Sequence, residues 1–116
     1  MTDEVMQTRI FVGDLQPGQA IKLRHQFPEE PRPQHIFLIK TSSGSICAYR
    51  NICPHMRAML DAGKGDFFDE TGLNLRCKVH GALFDPESGI CIEGPCQDAA
   101  LTAVSLGIEG DEAVIE

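Results

Sequence analysis

Turn-forming residues cut this chain so often that no long helix can be laid through it. Eleven glycines and seven prolines punctuate 116 residues, and the apolar runs between them are four to seven residues long, the length of strands. "TRIFVG" (8–13) predicts a first strand closed by Gly13-Asp14, and "AIKLR" (20–24) follows a turn at Pro17-Gly18. A Pro-rich loop, "PEEPRPQ" (28–34), leads to "HIFLIKT" (35–41), which turns at Ser43-Gly44 into "SICAYR" (45–50) and predicts a hairpin. "DFF" and "LNLRC" flank Glu70-Thr71-Gly72 and predict another. "ALFD", "GICIE", "LTAVSL" (101–106) and "EAVIE" are further strand candidates, with turns at 86–89 and 109–111, while residues 51–65 have no period. Many short strands at this spacing predict an all-β fold of stacked antiparallel sheets, a sandwich or small barrel.

A chain of this length suits one domain, spanning 1–116, and buries roughly two-thirds of its unfolded surface. The longest apolar runs, such as Ile36-Phe37-Leu38-Ile39, fall far short of the ~20 residues of a membrane span. "MTDEVMQTR" is acidic and lacks the apolar stretch of a secretory signal, so a cytoplasmic location is expected, with no membrane partner. The formal net charge of −7 argues against nucleic acid, whose phosphates need clustered Lys and Arg, and is compatible with docking on a basic protein surface. Five cysteines, an odd number without a signal peptide, fit metal binding better than a disulfide framework.

The chemistry-bearing residues fall into two pairs. "CPH" supplies Cys53 and His55; after twenty-one intervening residues "CKVH" supplies Cys77 and His80. Each pair lies on a loop beside a strand, and two thiolates with two imidazoles suit zinc or an iron–sulfur cluster. A structural zinc site is one reading, although zinc modules usually pair Cys with Cys and His with His. A core in which these residues bind nothing is another, since buried cysteines are common. The third is a Rieske centre, in which two His replace two Cys on one iron of a [2Fe–2S] cluster.

Cys53-Pro54-His55 followed by Cys77-Lys78-Val79-His80-Gly81-Ala82-Leu83-Phe84-Asp85 closely resembles the motif of the Rieske [2Fe–2S] family, and the tail "DPESGICIEGPC" resembles the strand, turn and proline loop that follow it. The resemblance covers 53–96 and implies a Rieske-like fold with a smaller cluster-binding subdomain at about 51–96. The gap between the ligand loops is a few residues longer than usual, and a protruding hairpin around "GKGDFFDETG" is expected to absorb the excess. Carried over residue by residue, Cys53 and Cys77 would bind one iron as thiolates and His55 and His80 the other. Such a cluster is less negative than one with four Cys ligands, so it is easier to reduce.

The resemblance implies an electron-transfer protein, a ferredoxin acting between a reductase and an oxygenase, monomeric and without its own substrate site. The runner-up is the small subunit of a larger oxidoreductase, such as a nitrite-reductase-like complex. A complete oxygenase would need a further iron on two His and a carboxylate, and only His25 and His35 are left for it. In the high-potential members, a serine and a tyrosine donate hydrogen bonds to the cluster and a disulfide ties the ligand loops. The matching positions here are Ala82, Phe84, Ala58 and Val79, which implies the low-potential type. Cys91 and Cys96 are expected as reduced thiols near the cluster, Cys47 as core, His25 and His35 as solvated, and Met56 and Met59 as apolar lids. Gly81 is expected to allow a close approach of the backbone to the cluster.

Overall fold

The computed structural model describes residues 7–54, 58–63, 65–78, 81–94 and 99–115. Nine strands run through them: β1 (Thr8–Phe11), β2 (Ala20–His25), β3 (Gln34–Lys40), β4 (Ile46–Arg50), β5 (Leu75–Arg76), β6 (Leu83–Phe84), β7 (Cys91–Glu93), β8 (Gly107–Glu109) and β9 (Glu112–Ile115). They form three antiparallel sheets of three strands, ordered β1-β9-β8, β2-β3-β4 and β5-β6-β7. The described residues contain no helix, so the fold is all-β as the turn spacing predicts, and none is long and apolar enough to cross a membrane.

Strand β3 shows why a short apolar run can organise the whole chain. Side chains alternate between the faces of a sheet. Ile36 and Leu38 therefore enter a core shared with Val12, Leu15, Ala113 and Ile115, beneath the β1-β9-β8 sheet. Phe37 and Ile39 enter a second core, with Phe67, Leu75, Phe84 and the two motif cysteines. All four are fully buried, each stabilising the fold by about 1.5–3 kcal/mol relative to exposure. The central strand is thus a partition with an apolar core on both sides.

The sheets differ from expectation in two places. "LTAVSL" is not a continuous strand; among the described residues it forms one isolated bridge, Ala103 to Tyr49, and β8 begins only at Gly107. Its apolar spacing is met instead by an irregular segment along the edge of β4, where Arg50 N–H donates to Thr102 O and Val104 N–H to Ala48 O, both at 2.9 Å. His25, expected in solvent, is 2 % exposed. Its Nδ1 lies 2.6 Å from Thr8 Oγ1, and its ring meets Phe27 edge-on, so it ties β2 to β1. His35 is exposed on β3, as expected.

The hairpin expected between the two cysteine-bearing loops is present. Phe68 bridges Leu75, Arg76 N–H donates to Phe67 O at 2.9 Å, and Asp69 N–H donates to Asn74 O at 2.8 Å. The Asp69 carboxylate receives Thr71 N–H, Thr71 Oγ1–H and Asn74 Nδ2–H, so a single side chain shapes the tip.

Candidate metal centre

Two loops approach each other at the end of the β5-β6-β7 sheet. The first leaves β4 at Asn51 and carries Cys53; the second leaves β5 and carries Cys77. Both cysteines are thiols, are 1 % and 0 % exposed, and share one apolar core with Leu60, Phe67, Ala82, Phe84 and Cys91. Each loop turns back on its own cysteine: Cys53 N–H donates to Ala58 O and Cys77 N–H to Ala82 O, both at 2.8 Å. A third bond joins the loops, Lys78 N–H to Leu60 O at 2.8 Å. His55 and His80, the other two expected ligands, lie outside the described residues, as do Met56, Val79 and Cys96.

A buried polar network that the sequence reading missed closes the first loop at its base. Asn51 Oδ1 accepts from Leu60 N–H at 2.8 Å, and Asn51 Nδ2 donates to Asp61 Oδ1 at 3.2 Å. Asp61 is fully buried and pairs with Lys22 Nζ of β2 at 2.7 Å, while Gly63 N–H and Gly65 N–H donate to its two oxygens. Burial alone would raise the Asp61 pKa. Lys22, the Gly65 amide, Asn51 and the Gly63 amide outweigh it and hold the carboxyl at about 2. The spacing Asp61-x-Gly63-x-Gly65 was the available signal, a carboxylate followed by residues suited to turning their amides back onto it.

The second loop depends on backbone conformation. Gly81 has φ +76° and donates its N–H to Cys77 O at 2.7 Å. Among the described residues a Cβ there would meet no atom within 4 Å, and the left-handed backbone itself favours glycine. At Gly94, φ is +109° and an added Cβ would lie 2.8 Å from Ala82 Cα, so the segment leaving β7 rests directly on the second loop.

Around this core, Cys91 is buried on β7, with its thiol donating to Glu93 O at 3.4 Å. Cys47 is half-buried and packs against the same core, where burial, followed by Glu87 and Asp85, raises its pKa. Met59 is half-buried and lines a groove of about 290 Å³ with Ile52, Ala58, His35 and Arg50, on the outer side of the first loop. Among the described residues, no three His, Cys, Asp or Glu side chains gather as a metal site, and His25 is turned towards Thr8 and Phe27.

The model of the Rieske [2Fe-2S] domain matches residues 8–106. Oxidoreductase NdmD from Pseudomonas putida is 34 % identical over 68 residues, which are 59 % of this chain, and the chain spans 11 % of that relative's length. The ferredoxin of carbazole 1,9a-dioxygenase from Nocardioides aromaticivorans superposes with a TM-score of 0.68 at 22 % identity, over 96 % of this chain and 97 % of that one. A structure described as the small subunit of an NADH-dependent nitrite reductase from Mycobacterium tuberculosis superposes with a TM-score of 0.65 at 17 % identity, over 97 % and 96 %. The family binds a [2Fe–2S] cluster, and two thiols held in one apolar core on adjoining loops are the soft donors that such a cluster needs. With a match across most of its length and a thiol pair that fits the cofactor, the chain belongs to the Rieske [2Fe-2S] domain family.

Proposed function

We propose that this chain is an electron carrier, a ferredoxin that passes one electron at a time from a reductase to an oxygenase. The observation that carries the reading is the pair of buried thiols, Cys53 and Cys77, on two loops joined by the bond from Lys78 N–H to Leu60 O. In this reading Cys53 and Cys77 hold one iron of the cluster and His55 and His80 the other. The cluster supplies reversible one-electron chemistry at a potential above that of four-cysteine clusters. The chain's own residues exclude water on the thiolate side through Leu60, Phe67 and Phe84, and keep the loops in register through Asn51 and Asp61.

The whole chain works as one domain, because the β2-β3-β4 sheet contributes Phe37, Ile39 and Tyr49 to the core that holds the cysteines. It acts as a monomer in the cytoplasm and has no substrate site of its own, the substrate chemistry belonging to the oxygenase. The likeness to the carbazole dioxygenase ferredoxin along nearly the full length of both chains supports this role. Elemental analysis with EPR tests the reading. Two irons and two acid-labile sulfides per chain are expected, with a rhombic signal after reduction whose mean g lies below the free-electron value. Zinc in place of iron, in a colourless protein, would overturn it. Electron transfer from a flavin reductase to this protein, and on to an oxygenase, then separates the ferredoxin role from that of a reductase subunit.

A further inference from the structure

Cys77 stands between two cations, Arg76 and Lys78. Both are held by carboxylates of the hairpin that lengthens the gap between the ligand loops. Lys78 Nζ lies 3.2 Å from Asp66 Oδ2 and donates to Phe68 O at 3.3 Å. Arg76 Nη2 lies 3.3 Å from Glu70 Oε1, and its Nε is buried. The hairpin does not need these pairs for its own shape, which Asp69 and the backbone bonds of Phe67 and Asp69 already fix. Asp66 and Glu70 are largely exposed, at 68 % and 76 % of their side chains, and pairs in such positions stabilise a fold little. Their placement has an electrostatic effect of another kind. Reduction adds one negative charge to a cluster, so a cation beside a ligand favours the reduced form. A carboxylate paired with that cation offsets the effect.

We propose that the 66–76 hairpin is an electrostatic trim on the cluster: Asp66 and Glu70 cancel part of the positive field that Lys78 and Arg76 place at Cys77, and so lower the reduction potential. The proposal rests on the reading of Cys77 as a cluster ligand. Lys78, Asp66 and Glu70 are positioning and tuning residues that touch no substrate.

The test is protein-film voltammetry of the holoprotein at low ionic strength. Asp66→Asn and Glu70→Gln should each favour the reduced state about two- to fivefold, roughly 20–40 mV upward at 59 mV per tenfold. Lys78→Met should shift the potential downward by a similar amount, and Lys78→Arg should restore it. Added salt should shrink all three differences. Opposite signs are decisive, because Asp66→Asn and Lys78→Met break the same ion pair, and a purely structural role would move both variants the same way. Shifts of the same sign, or no shift, would overturn the proposal. So would an equal shift for Glu109→Gln, on a sheet that holds neither cysteine. If Lys78→Met assembles no cluster, Arg76→Gln, which breaks the pair with Glu70, supplies the variant expected to shift downward, opposite to Glu70→Gln. A wild-type protein without the rhombic EPR signal would sink the functional reading and the trim with it. A normal signal with same-sign shifts would sink the trim alone.

Discussion

The β2-β3-β4 sheet and the β5-β6-β7 sheet are held together in opposite ways. The first has strands of six, seven and five residues in unbroken register, and its central strand buries four consecutive large side chains. The second has strands of two, two and three residues, with a bulge between Leu83 and Phe84. Its loops are fixed by single hydrogen bonds and by the Asn51–Asp61 network, and they bury two thiols in the shared core. One region is stable through long strands in register, and the other through an apolar core that it shares with the first and through a few specific polar atoms. A scaffold can be robust while the site it carries stays sensitive to single atoms.

The sharpest way to break this contrast is to remove a thiolate. Cys53→Ser or Cys77→Ser should abolish cluster assembly, read as loss of visible absorbance and of the EPR signal, while amides of β2, β3 and β4 keep their protection from hydrogen exchange. Cys91→Ser should keep the cluster, because a hydroxyl can still donate to Glu93 O. Loss of the cluster in Cys91→Ser would show that the ligand assignment is wrong. Global loss of protection in Cys53→Ser would make the two regions a single cooperative unit.

The reverse experiment damages the scaffold. Leu38→Ala empties the core on the side away from the cysteines and should cost about 2–5 kcal/mol in denaturant unfolding, with the EPR spectrum of the folded fraction unchanged. Phe37→Ala, on the cysteine side and stacked on Phe67 at 4.1 Å, should cost about 3–5 kcal/mol and also alter the spectrum. Identical spectra for the two variants would mean that the partition made by β3 does not insulate the site.

Much of the scaffold was legible in the sequence because its signals are local. Apolar runs bounded by Pro and Gly place β2, β3 and β4 within a residue or two of where they lie. The misread positions depend on partners far along the chain. His25 is flanked by Arg24 and Gln26 and looks solvated until Thr8, seventeen residues away, supplies a bond to its ring. "LTAVSL" has a strand's composition, but the edge of β4 accepts it at only a few points. At the site, two Cys–His pairs announce the chemistry, whereas of the Lys22–Asp61–Asn51 network only the Asp61-x-Gly63-x-Gly65 turn is visible locally, since its partner Lys22 comes from β2.

That network gives a smaller, pH-dependent effect. The Asp61 carboxyl sits at about 2 in the fold, below its usual 3.8. A depressed carboxyl contributes stability that is complete above the unfolded pKa and is lost as pH falls through the folded value. The contribution, about 2 kcal/mol from a shift of this size, should therefore be present above roughly pH 4 and disappear towards pH 2. Asp61→Asn should lower stability at neutral pH by that order and flatten the acid limb between those limits, as followed by urea titrations at a series of pH values. An unchanged acid limb would remove Asp61 from the account of how the first loop is held.

The finest adjustment concerns Ala82 and Phe84, which are both fully buried in the core with Cys53 and Cys77. Ala82→Ser and Phe84→Tyr would each add a donor able to favour the more negative state. Taking about half of a charged hydrogen bond as the differential effect, each should raise the midpoint by roughly 30–60 mV at 59 mV per 1.4 kcal/mol. Voltammetry at neutral pH reads the shift, and a fall in midpoint would show that neither hydroxyl reaches the cluster.

The burial of Cys53 and Cys77 also has a consequence in time. If Cys53 and Cys77 hold iron, thiols with almost no accessible surface cannot receive it while the loops are closed over them. Loading would then be expected before the bonds from Cys53 to Ala58, Cys77 to Ala82 and Lys78 to Leu60 close the loops. On that reading maturation is a packaging problem with an order of operations: the framework is made, the cargo is delivered, and the loops close behind it.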